Sequence, residues 1–318
     1  MDDHVIPPKL ISEASAFTDT LLPTERPAET VERIWTLIRM ASPSQARSLS
    51  EKLVQKLSDR VVLVTAPDAT LLGDLAQAHY VAGYSIAINT YSHEATLAIE
   101  HFRHMEQLAR DIGDHTLLNL ALTYQGDMYR RKGDLHEAKT CLEAAQDSTP
   151  QADTAARGNS LQLLCRVYLQ MNDLTNFEDT MKVAEQLAAA IEPNKSILHG
   201  QYCLGTVYEE YARSYGSLGQ LQRALDYLDK AEAALPSLPN WRLLLTTTRA
   251  LALINGGEIA LGTQIAIQAA QLCSAHGNIR LLERIRGLQR FLERQALHIK
   301  RAAVDLDDAL NDPSYGSF

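Results

Sequence analysis

The stretch from Leu122 to Pro150 reads LTYQGDMYRRKGDLHEAKTCLEAAQDSTP and predicts two helices joined by a tight turn. Gly126 and Ala138 are small residues at places where two antiparallel helices approach each other closely. Gly133 is suited to the left-handed conformation that ends a helix, and Asp134 is suited to capping the next helix. The final proline stops the second helix, because the residue before a proline disfavours the helical conformation. This stretch therefore predicts a compact helical hairpin.

The residues of this hairpin fall at the spacings of the tetratricopeptide repeat (TPR) signature, W-x2-L-G-x2-Y…A-x3-F…P. The stretch resembles such a repeat, with Leu122 in place of the usual Trp and Gln125 in place of the usual Leu. Weaker forms of the pattern span residues 70–114, 155–191, 198–236 and 241–274. Steps of 39, 47 and 38 residues separate the small-residue places, which are Gly126, Cys165, Ala212 and Ala250. These steps exceed the usual period of about 34 residues and predict long helices or connections.

The resemblance implies an all-α fold, a right-handed superhelix of antiparallel helix pairs with a C-terminal capping helix. Four segments are predicted: a disordered arm over 1–26, a helical lead-in over 27–66, the TPR array with its capping helix over 67–296, and a flexible acidic tail over 297–318. One side of the capping helix is apolar. We interpret its other side as a solvated outer face, with Arg280, Arg284, Arg286, Arg290 and Arg294.

The composition favours a soluble interaction protein. Of the 318 residues, 46% are hydrophobic, and the net charge of −9 opposes general nucleic-acid binding, which needs a basic surface. No window contains the ~18 consecutive apolar residues typical of a membrane helix. The start of the chain lacks the layout of a signal peptide. We therefore predict a cytoplasmic protein that neither crosses a membrane nor binds nucleic acid directly.

No pattern typical of catalysis or cofactor binding occurs. Phosphate-loop, dinucleotide-binding and nucleophile-elbow motifs are absent, so the protein is predicted to be no enzyme and to need no cofactor. The four cysteines lie far apart and are interpreted as reduced thiols, with Cys165, Cys203 and Cys273 on buried faces. His101 and His104 lack the convergent ligands that a metal needs, so no metal is predicted and both are interpreted as exposed.

The inner surface of the predicted array offers candidate ligand contacts. Successive first helices of TPR units line a concave groove, and the places beside the small residues face it. Ten polar residues occupy such places: Thr123, Asp127, Arg130, Asn159, Gln162, Arg166, Gln170, Glu209, Arg213 and Thr247. Asn, Gln and Arg side chains can bind the backbone of an extended peptide, and Arg can hold a carboxylate. The alternative is a solvated groove with internal ion pairs, such as Asp127 with Arg166.

Long-helix arrays of this kind resemble the sensor domains of bacterial Cro/C1-type and peptide-responsive quorum-sensing transcription regulators. The resemblance implies a non-catalytic protein that binds a peptide or protein segment in its concave groove, as part of a transcription or signalling regulator. Two alternatives stay open: a constitutive scaffold or adaptor for protein–protein interaction, and a regulator that contacts DNA through the Arg280–Arg294 face. Assembly into a homo-oligomer is compatible with each of these functions.

Overall fold

The computed structural model of the protein describes residues 20–22, 24–191 and 202–311. In these ranges the fold is an all-α, TPR-like superhelix, as predicted. No helix in the described ranges has the length and apolar character needed to cross a bilayer. Thirteen α-helices occupy this part of the chain: α1 (Pro27–Arg39), α2 (Pro43–Leu63), α3 (Ala69–Asn89), α4 (Ala95–Ile112), α5 (His115–Lys132), α6 (Leu135–Asp147), α7 (Thr154–Gln170), α8 (Leu174–Ala189), α9 (Leu204–Ser217), α10 (Leu221–Ala234), α11 (Pro239–Asn255), α12 (Ile259–Ala275) and α13 (Ile279–Asn311).

The helices pack in antiparallel pairs, and the first helix of each pair lies on the inside. Helices α3, α5, α7, α9 and α11 form the inner layer, while α4, α6, α8, α10 and α12 form the outer layer. Burial shows the difference, because α5 is buried without interruption from Leu117 to Met128. Its partner α6 buries only Ala138, Leu142 and Ala145. An outer helix thus needs one apolar stripe, whereas an inner helix is covered on several sides.

The predicted small residues lie where the helices of a pair approach each other. A Cβ atom on Gly126 would lie 2.7 Å from Cγ of Leu142, and Ala138 on the facing helix is fully buried. The α3–α4 pair has an equivalent place that the sequence pattern did not reveal. There, a Cβ atom on Gly83 would lie 2.7 Å from the ring of Phe102. Both glycines set the spacing of their helix pairs, since any larger residue would overlap its neighbour.

At the turn between α5 and α6, the predicted left-handed conformation of Gly133 is confirmed, whereas the predicted helix cap by Asp134 is wrong. Gly133 has a φ angle of 93°, in the left-handed region that favours glycine. Asp134 precedes α6, but its side chain accepts no capping hydrogen bond. Its carboxylate is turned toward the preceding helix, where it lies 3.8 Å from Nζ of Lys132. At the turn after α7, by contrast, Asp173 does cap the next helix and accepts a hydrogen bond from the amide of Asn176 at 3.2 Å.

The closing helix is longer than predicted. Helix α13 continues to Asn311 instead of ending near residue 296, so residues 297–311 are helical rather than part of a flexible tail. No glycine or proline interrupts the chain between Gly287 and Pro313, so local propensity carries the helix onward. Leu281 and Leu288 anchor its first half, and every residue from 293 to 311 is exposed. The remaining tail, residues 312–318, lies outside the described residues.

The two ends of the array meet. Ala41, which follows α1, belongs to the same hydrophobic cluster as Trp241 of α11 and Leu281 of α13. Helix α13 also contacts α3, and Glu283 on α13 accepts hydrogen bonds from the amide (2.9 Å) and the hydroxyl (2.7 Å) of Ser92. The array therefore closes on itself. Its inner surface borders a central space covered by α13, in place of the concave groove that the sequence predicts.

The end of the predicted N-terminal arm is attached to α1. Arg33 forms an ion pair with Glu25 at 2.7 Å and donates a hydrogen bond to the carbonyl of Thr20 at 3.0 Å. The side chains of this ion pair are only 13% and 10% exposed. Residues next to α1 are thus packed against it, whereas the predicted arm from 1 to 19 lies outside the described residues. The same holds for residues 198–201, the predicted beginning of the α9–α10 pair.

Candidate ligand-binding site

Two adjoining cavities lie at the centre of the superhelix, bounded by the inner helices and by α13. The larger one, which we call the arginine cavity, has a volume of about 390 Å³. It is lined by Ser92, Asp127, Arg130, Arg131, Arg166, Gln170, Arg213, Arg280, Glu283, Arg284 and Arg290. The smaller one, which we call the amide cavity, has a volume of about 60 Å³. It is lined by Tyr84, Tyr124, Asp127, Asn159, Gln162, Leu163, Arg166, Thr206, Glu209, Trp241, Leu244, Arg280 and Arg284.

Two buried carboxylates connect the arginines of three successive inner helices. On α5, Oδ1 of Asp127 lies 2.7 Å from Nη2 of Arg130 and 3.8 Å from Nη1 of Arg166 on α7. On α9, Oε2 of Glu210 lies 2.6 Å from Nη2 of Arg166, and its Oε1 contacts Arg213. Arg166 thus stands between both carboxylates. The ion pair of Asp127 with Arg166, which the sequence left as an alternative, is present.

The arginines keep both carboxylates ionised. Burial alone would raise the pKa of Asp127, but the guanidinium groups of Arg130 and Arg166 outweigh burial and hold the pKa well below its ordinary value. The same balance applies to Glu210, where Arg166 and Arg213 overcome burial and lower the pKa. Loss of either carboxylate would leave buried guanidinium groups without compensation, which is strongly destabilising. The network is therefore part of the structural core as well as of the cavity.

Further ion pairs hold α13 across the cavity. Nη1 of Arg284 lies 3.5 Å from Oε1 of Glu209 on α9, and the hydroxyl of Thr248 donates a hydrogen bond of 2.5 Å to the same oxygen. Glu283, besides its bonds to the turn before α4, lies 3.6 Å from Nη2 of Arg131 on α5. Two consecutive residues of α13 thus attach it to opposite sides of the inner surface.

The arginine cavity carries more positive than negative charge. Seven arginines line it, together with the carboxylates of Asp127 and Glu283. Glu209 and Glu210 reach these arginines through ion pairs and bring the number of carboxylates to four. Seven guanidinium groups against four carboxylates leave three positive charges unbalanced within the described part of the chain. Burial lowers the pKa of Arg284, and repulsion from the neighbouring arginines adds to this effect.

Several donors in the lining form no hydrogen bond. Nε of Arg213, Nε of Arg280 and Nη1 of Arg284 are buried, and none has a hydrogen-bond partner among the described residues. Arg280 and Arg290 form no ion pair with any carboxylate in those ranges. A buried donor without a hydrogen bond costs about 1–3 kcal/mol, and an anion in the cavity would supply the missing acceptors. The arrangement is therefore suited to binding negatively charged groups.

The amide cavity offers a different chemistry. Gln162 donates a hydrogen bond to the carbonyl of Thr206 at 3.3 Å, while its own Oε1 is buried without a partner among the described residues. Asn159 donates to the hydroxyl of Tyr124 at 3.3 Å. The cavity has space for only a few atoms, so a small polar group is the largest fragment that it can take without rearrangement.

Eight of the ten predicted contact residues line one or both cavities: Asp127, Arg130, Asn159, Gln162, Arg166, Gln170, Glu209 and Arg213. The other two are buried elsewhere, and their hydroxyls bond within their own helices. Thr123 donates to Oδ1 of Asn119 at 3.4 Å, and Thr247 donates to the carbonyl of Leu243 at 2.7 Å. The prediction that these two side chains face the groove is wrong, because neighbouring helices cover both of them. Ligand contact by the other eight stays a prediction.

The prediction that the arginine side of α13 faces solvent is wrong for Arg280 and Arg284, which are half-buried, whereas the other three arginines are exposed. Arg280, Arg284 and Arg290 line the arginine cavity. Arg286 and Arg294 lie outside it, and the guanidinium of Arg286 stands 5.2 Å from the ring centre of Tyr91. The reason is that α13 packs against α11 and α12 at the end of the array and also reaches α3 on the other side of the cavity. Arg280 and Arg284 therefore turn away from the exposed arginine face that the DNA alternative requires.

Six charged residues of the lining or the network are missing from the sequence-based site: Arg131, Glu210, Arg280, Glu283, Arg284 and Arg290. One signal was available, since Glu210 stands three residues before Arg213 on a predicted inner helix, a spacing typical of ion pairs. The arginines of α13 had no comparable signal. Their position depends on contacts such as the one between Ser92 and Glu283, which joins residues 191 positions apart.

A histidine cluster between α3 and α4 corrects another prediction. His101 is half-buried rather than exposed, and its Nδ1 lies 2.9 Å from Nδ1 of His79, whereas His104 is exposed as predicted. Burial lowers the pKa of His79 to about 3 and also lowers that of His101. One neutral ring can then donate to the other. Within the described residues, no group of three or more metal-binding side chains could hold an ion.

The burial of the cysteines agrees with the sequence-based prediction except at Cys203. All four thiols are free, and Cys165 and Cys273 are buried as predicted. Cys203 is only half-buried, because it stands at the start of α9 rather than inside a helix face. Burial raises the pKa of Cys165 well above its ordinary value and that of Cys273 to about 11. Both thiols are thus poor nucleophiles.

Comparison with known proteins supports the repeat assignment in one part of the chain. The tetratricopeptide repeat family model matches residues 115–151, which contain α5 and α6. A similar solved structure is the crystal structure of BtubC (BKLC) from P. vanneervenii, with 14% sequence identity and a TM-score of 0.47. The similarity covers 74% of this chain and 92% of that chain. No curated protein matches the sequence. Tetratricopeptide repeats are typically non-catalytic modules for protein–protein interaction.

Proposed function

We propose that this chain is a non-catalytic protein that recognises a peptide or protein segment at its inner surface, as the sensor part of a transcription or signalling regulator. The observation that carries the proposal is the alignment of Arg130, Arg166 and Arg213 on α5, α7 and α9, at the wall of the arginine cavity. Their side chains are 14%, 12% and 14% exposed. Arg166 and Arg213 occupy equivalent places on successive repeats, and with Arg130 they suit the successive acceptors of an extended segment.

The size and charge of the cavity narrow the class of segment. A volume of about 390 Å³ lies near the lower end of the ~300–1,000 Å³ range of ligand pockets. A helix, with a diameter of about 10 Å or more, is too wide for this space. The unbalanced positive charge favours an acidic stretch or a free C-terminal carboxylate. A cytoplasmic location is part of the proposal, since four free thiols are typical of a reducing compartment.

Selection from a library of short random peptides tests the proposal. Peptides enriched on the wild-type protein would then be measured by calorimetry against Gln170→Trp and Gln264→Trp. Gln170 is an exposed residue of the cavity lining, so a tryptophan there obstructs the cavity without breaking an ion pair. Gln264 is an exposed residue of the outer helix α12 and receives the same exchange as a control.

We expect the enriched peptides to be acidic or to end in a carboxylate that their binding requires. The Gln170→Trp variant should bind these peptides about tenfold more weakly, equivalent to ~1.4 kcal/mol, whereas the Gln264→Trp variant should bind them as the wild type does. Peptides that bind Gln170→Trp normally would place recognition on another surface. Failure to enrich any peptide would refute the proposal.

The sensor role can be separated from that of a constitutive scaffold. A sensor changes its shape or its association when the ligand binds, because the ligand has different affinities for two states. Small-angle scattering and size-exclusion chromatography of the protein with an enriched peptide measure both properties. A change in dimensions or in oligomeric state supports a sensor, and unchanged profiles with a saturating peptide favour a scaffold.

A further inference from the structure

We propose that the arginine cavity binds a small molecule with a di- or triphosphate group, which would compete there with the acidic segment of the proposed function. Its lining carries a net excess of three positive charges, and Arg280 and Arg290 form no ion pair within the described residues. Buried guanidinium nitrogens of Arg213, Arg280 and Arg284 form no hydrogen bond there. These donors come from α9 and from two successive turns of α13, so they surround the cavity rather than form a patch on one helix.

The kind of donor favours phosphate over other acceptors. A guanidinium group offers a planar fork of N–H donors that fits two oxygens of one phosphate, and it holds its charge even where burial opposes it. Oxygens of adjacent phosphates could accept hydrogen bonds from several arginines at once. The three unbalanced charges match the charge of a di- or triphosphate group better than that of a single carboxylate.

The density of negative charge decides between a polyphosphate and an acidic peptide. Along an extended chain, side chains on the same face are about 7 Å apart, since each residue advances by about 3.3 Å. Adjacent phosphates are linked through one shared oxygen, so a di- or triphosphate concentrates its charges within a single cavity. A volume of about 390 Å³ suits a compact ligand of this kind.

The carboxylates of the lining do not oppose such a ligand. Asp127 is engaged by Arg130 and Arg166, and Glu283 is engaged by Ser92 and Arg131. Both therefore act as internal counterions of the lining. A bound polyphosphate would contact the remaining guanidinium groups and would link α13 to the inner helices. Its binding should consequently stabilise the closed arrangement of the array.

Calorimetry with inorganic pyrophosphate tests the proposal on the wild-type protein and on three variants of α13. Arg280→Ala and Arg290→Ala remove lining guanidinium groups that have no ion pair among the described residues, so both variants are expected to fold. Arg294→Ala is the matched control, since Arg294 is an exposed arginine of the same helix outside the cavity. Circular dichroism would verify that all three variants keep the helical fold.

Pyrophosphate should bind the wild type and raise its melting temperature, and orthophosphate should bind more weakly. Arg280→Ala and Arg290→Ala should each lower the affinity for pyrophosphate by about tenfold or more, as expected for loss of a charge-assisted contact. Arg294→Ala should leave this affinity unchanged. Binding should weaken as salt concentration rises. Absence of pyrophosphate binding, or an equal loss in Arg294→Ala, would overturn the proposal.

The same calorimetry with a hexaglutamate peptide tests an acidic segment as the alternative ligand. If it binds more tightly than pyrophosphate and loses affinity in Arg280→Ala, the cavity serves an acidic segment and the polyphosphate proposal is wrong. The two proposals can fail separately. Peptide selection can fail while pyrophosphate binds, and pyrophosphate can fail to bind while enriched peptides remain sensitive to Gln170→Trp.

Discussion

Replacing Glu210 with Gln tests the buried ion-pair network, because the exchange removes one charge and keeps the shape of the side chain. Glu210 is fully buried, lies 2.6 Å from Arg166 and also contacts Arg213. Removing one partner of a buried ion pair costs about 3–5 kcal/mol, since the other charge stays buried without compensation. The amide oxygen of Gln can still accept one hydrogen bond from Arg166. We therefore expect the free energy of unfolding to fall by about 3 kcal/mol, near the lower limit of this range.

Urea denaturation at neutral pH, followed by circular dichroism, measures the free energy of unfolding. The matched control is Glu232→Gln on the outer helix α10, where Glu232 forms a 2.7 Å ion pair with Arg249. The two side chains of that pair are 48% and 30% exposed, and such surface pairs contribute about 0–1 kcal/mol. If Glu210→Gln is as stable as the control, the network contributes no more than a surface pair and the reasoning is wrong.

The same variant should bind pyrophosphate more tightly. Removing the charge of Glu210 frees one more guanidinium charge at the arginine cavity, so stability should fall while anion affinity rises several-fold. Calorimetry on the folded variant measures this effect. Arg166→Ala is a poorer test of binding, because it would also leave Asp127 and Glu210 partly uncompensated and lower the stability.

Three further predictions concern the core. Ala138→Leu should lower the free energy of unfolding by about 1–3 kcal/mol, because it overpacks the α5–α6 interface. Glu137→Leu, at an exposed position of the same helix, should change the free energy of unfolding little, and equal stabilities of the two variants would contradict this packing. Alkylation under native conditions should be slow at buried Cys165 and faster at half-buried Cys141, so a fast Cys165 would indicate an accessible thiol. Burial holds the pKa of His79 near 3, below its ordinary 6.5, so stability is complete above pH 6.5 and is lost as pH falls toward 3. Between pH 7 and pH 4.5 this loss is about 2–3 kcal/mol in urea denaturation, and a His79→Leu variant that loses as much would exclude His79 as its source.

Local patterns predicted the repeats because the forces that shape a helical hairpin act over a few residues. Gly126, Ala138 and Gly133 belong to one hairpin, and each meets a requirement of that hairpin alone. The inner helices could likewise be recognised, since the small-residue face determines which neighbouring residues point inward. For this reason eight of the ten predicted contact residues lie at the two cavities.

Long-range geometry could not be predicted in the same way. The period of α13 separates its arginines from its leucines, but it does not show whether the arginines meet water or another helix. That outcome depends on the curvature accumulated over five helix pairs, which brings Glu283 to Ser92. Thr123 and Thr247 were misplaced for a similar reason, because the angle between adjacent inner helices decides whether a flanking residue is covered.

The contact between α13 and α3 affects how the protein is made. In a linear repeat array each unit contacts only its neighbours, so folding can begin anywhere and spread. Here the N-terminal pairs can fold as they leave the ribosome, but the contact between α13 and α3 must wait for the last helix. Contacts between distant residues slow folding, because the chain between them is ordered before they form. The arginine cavity is therefore completed last during synthesis, because four of its lining residues belong to α13.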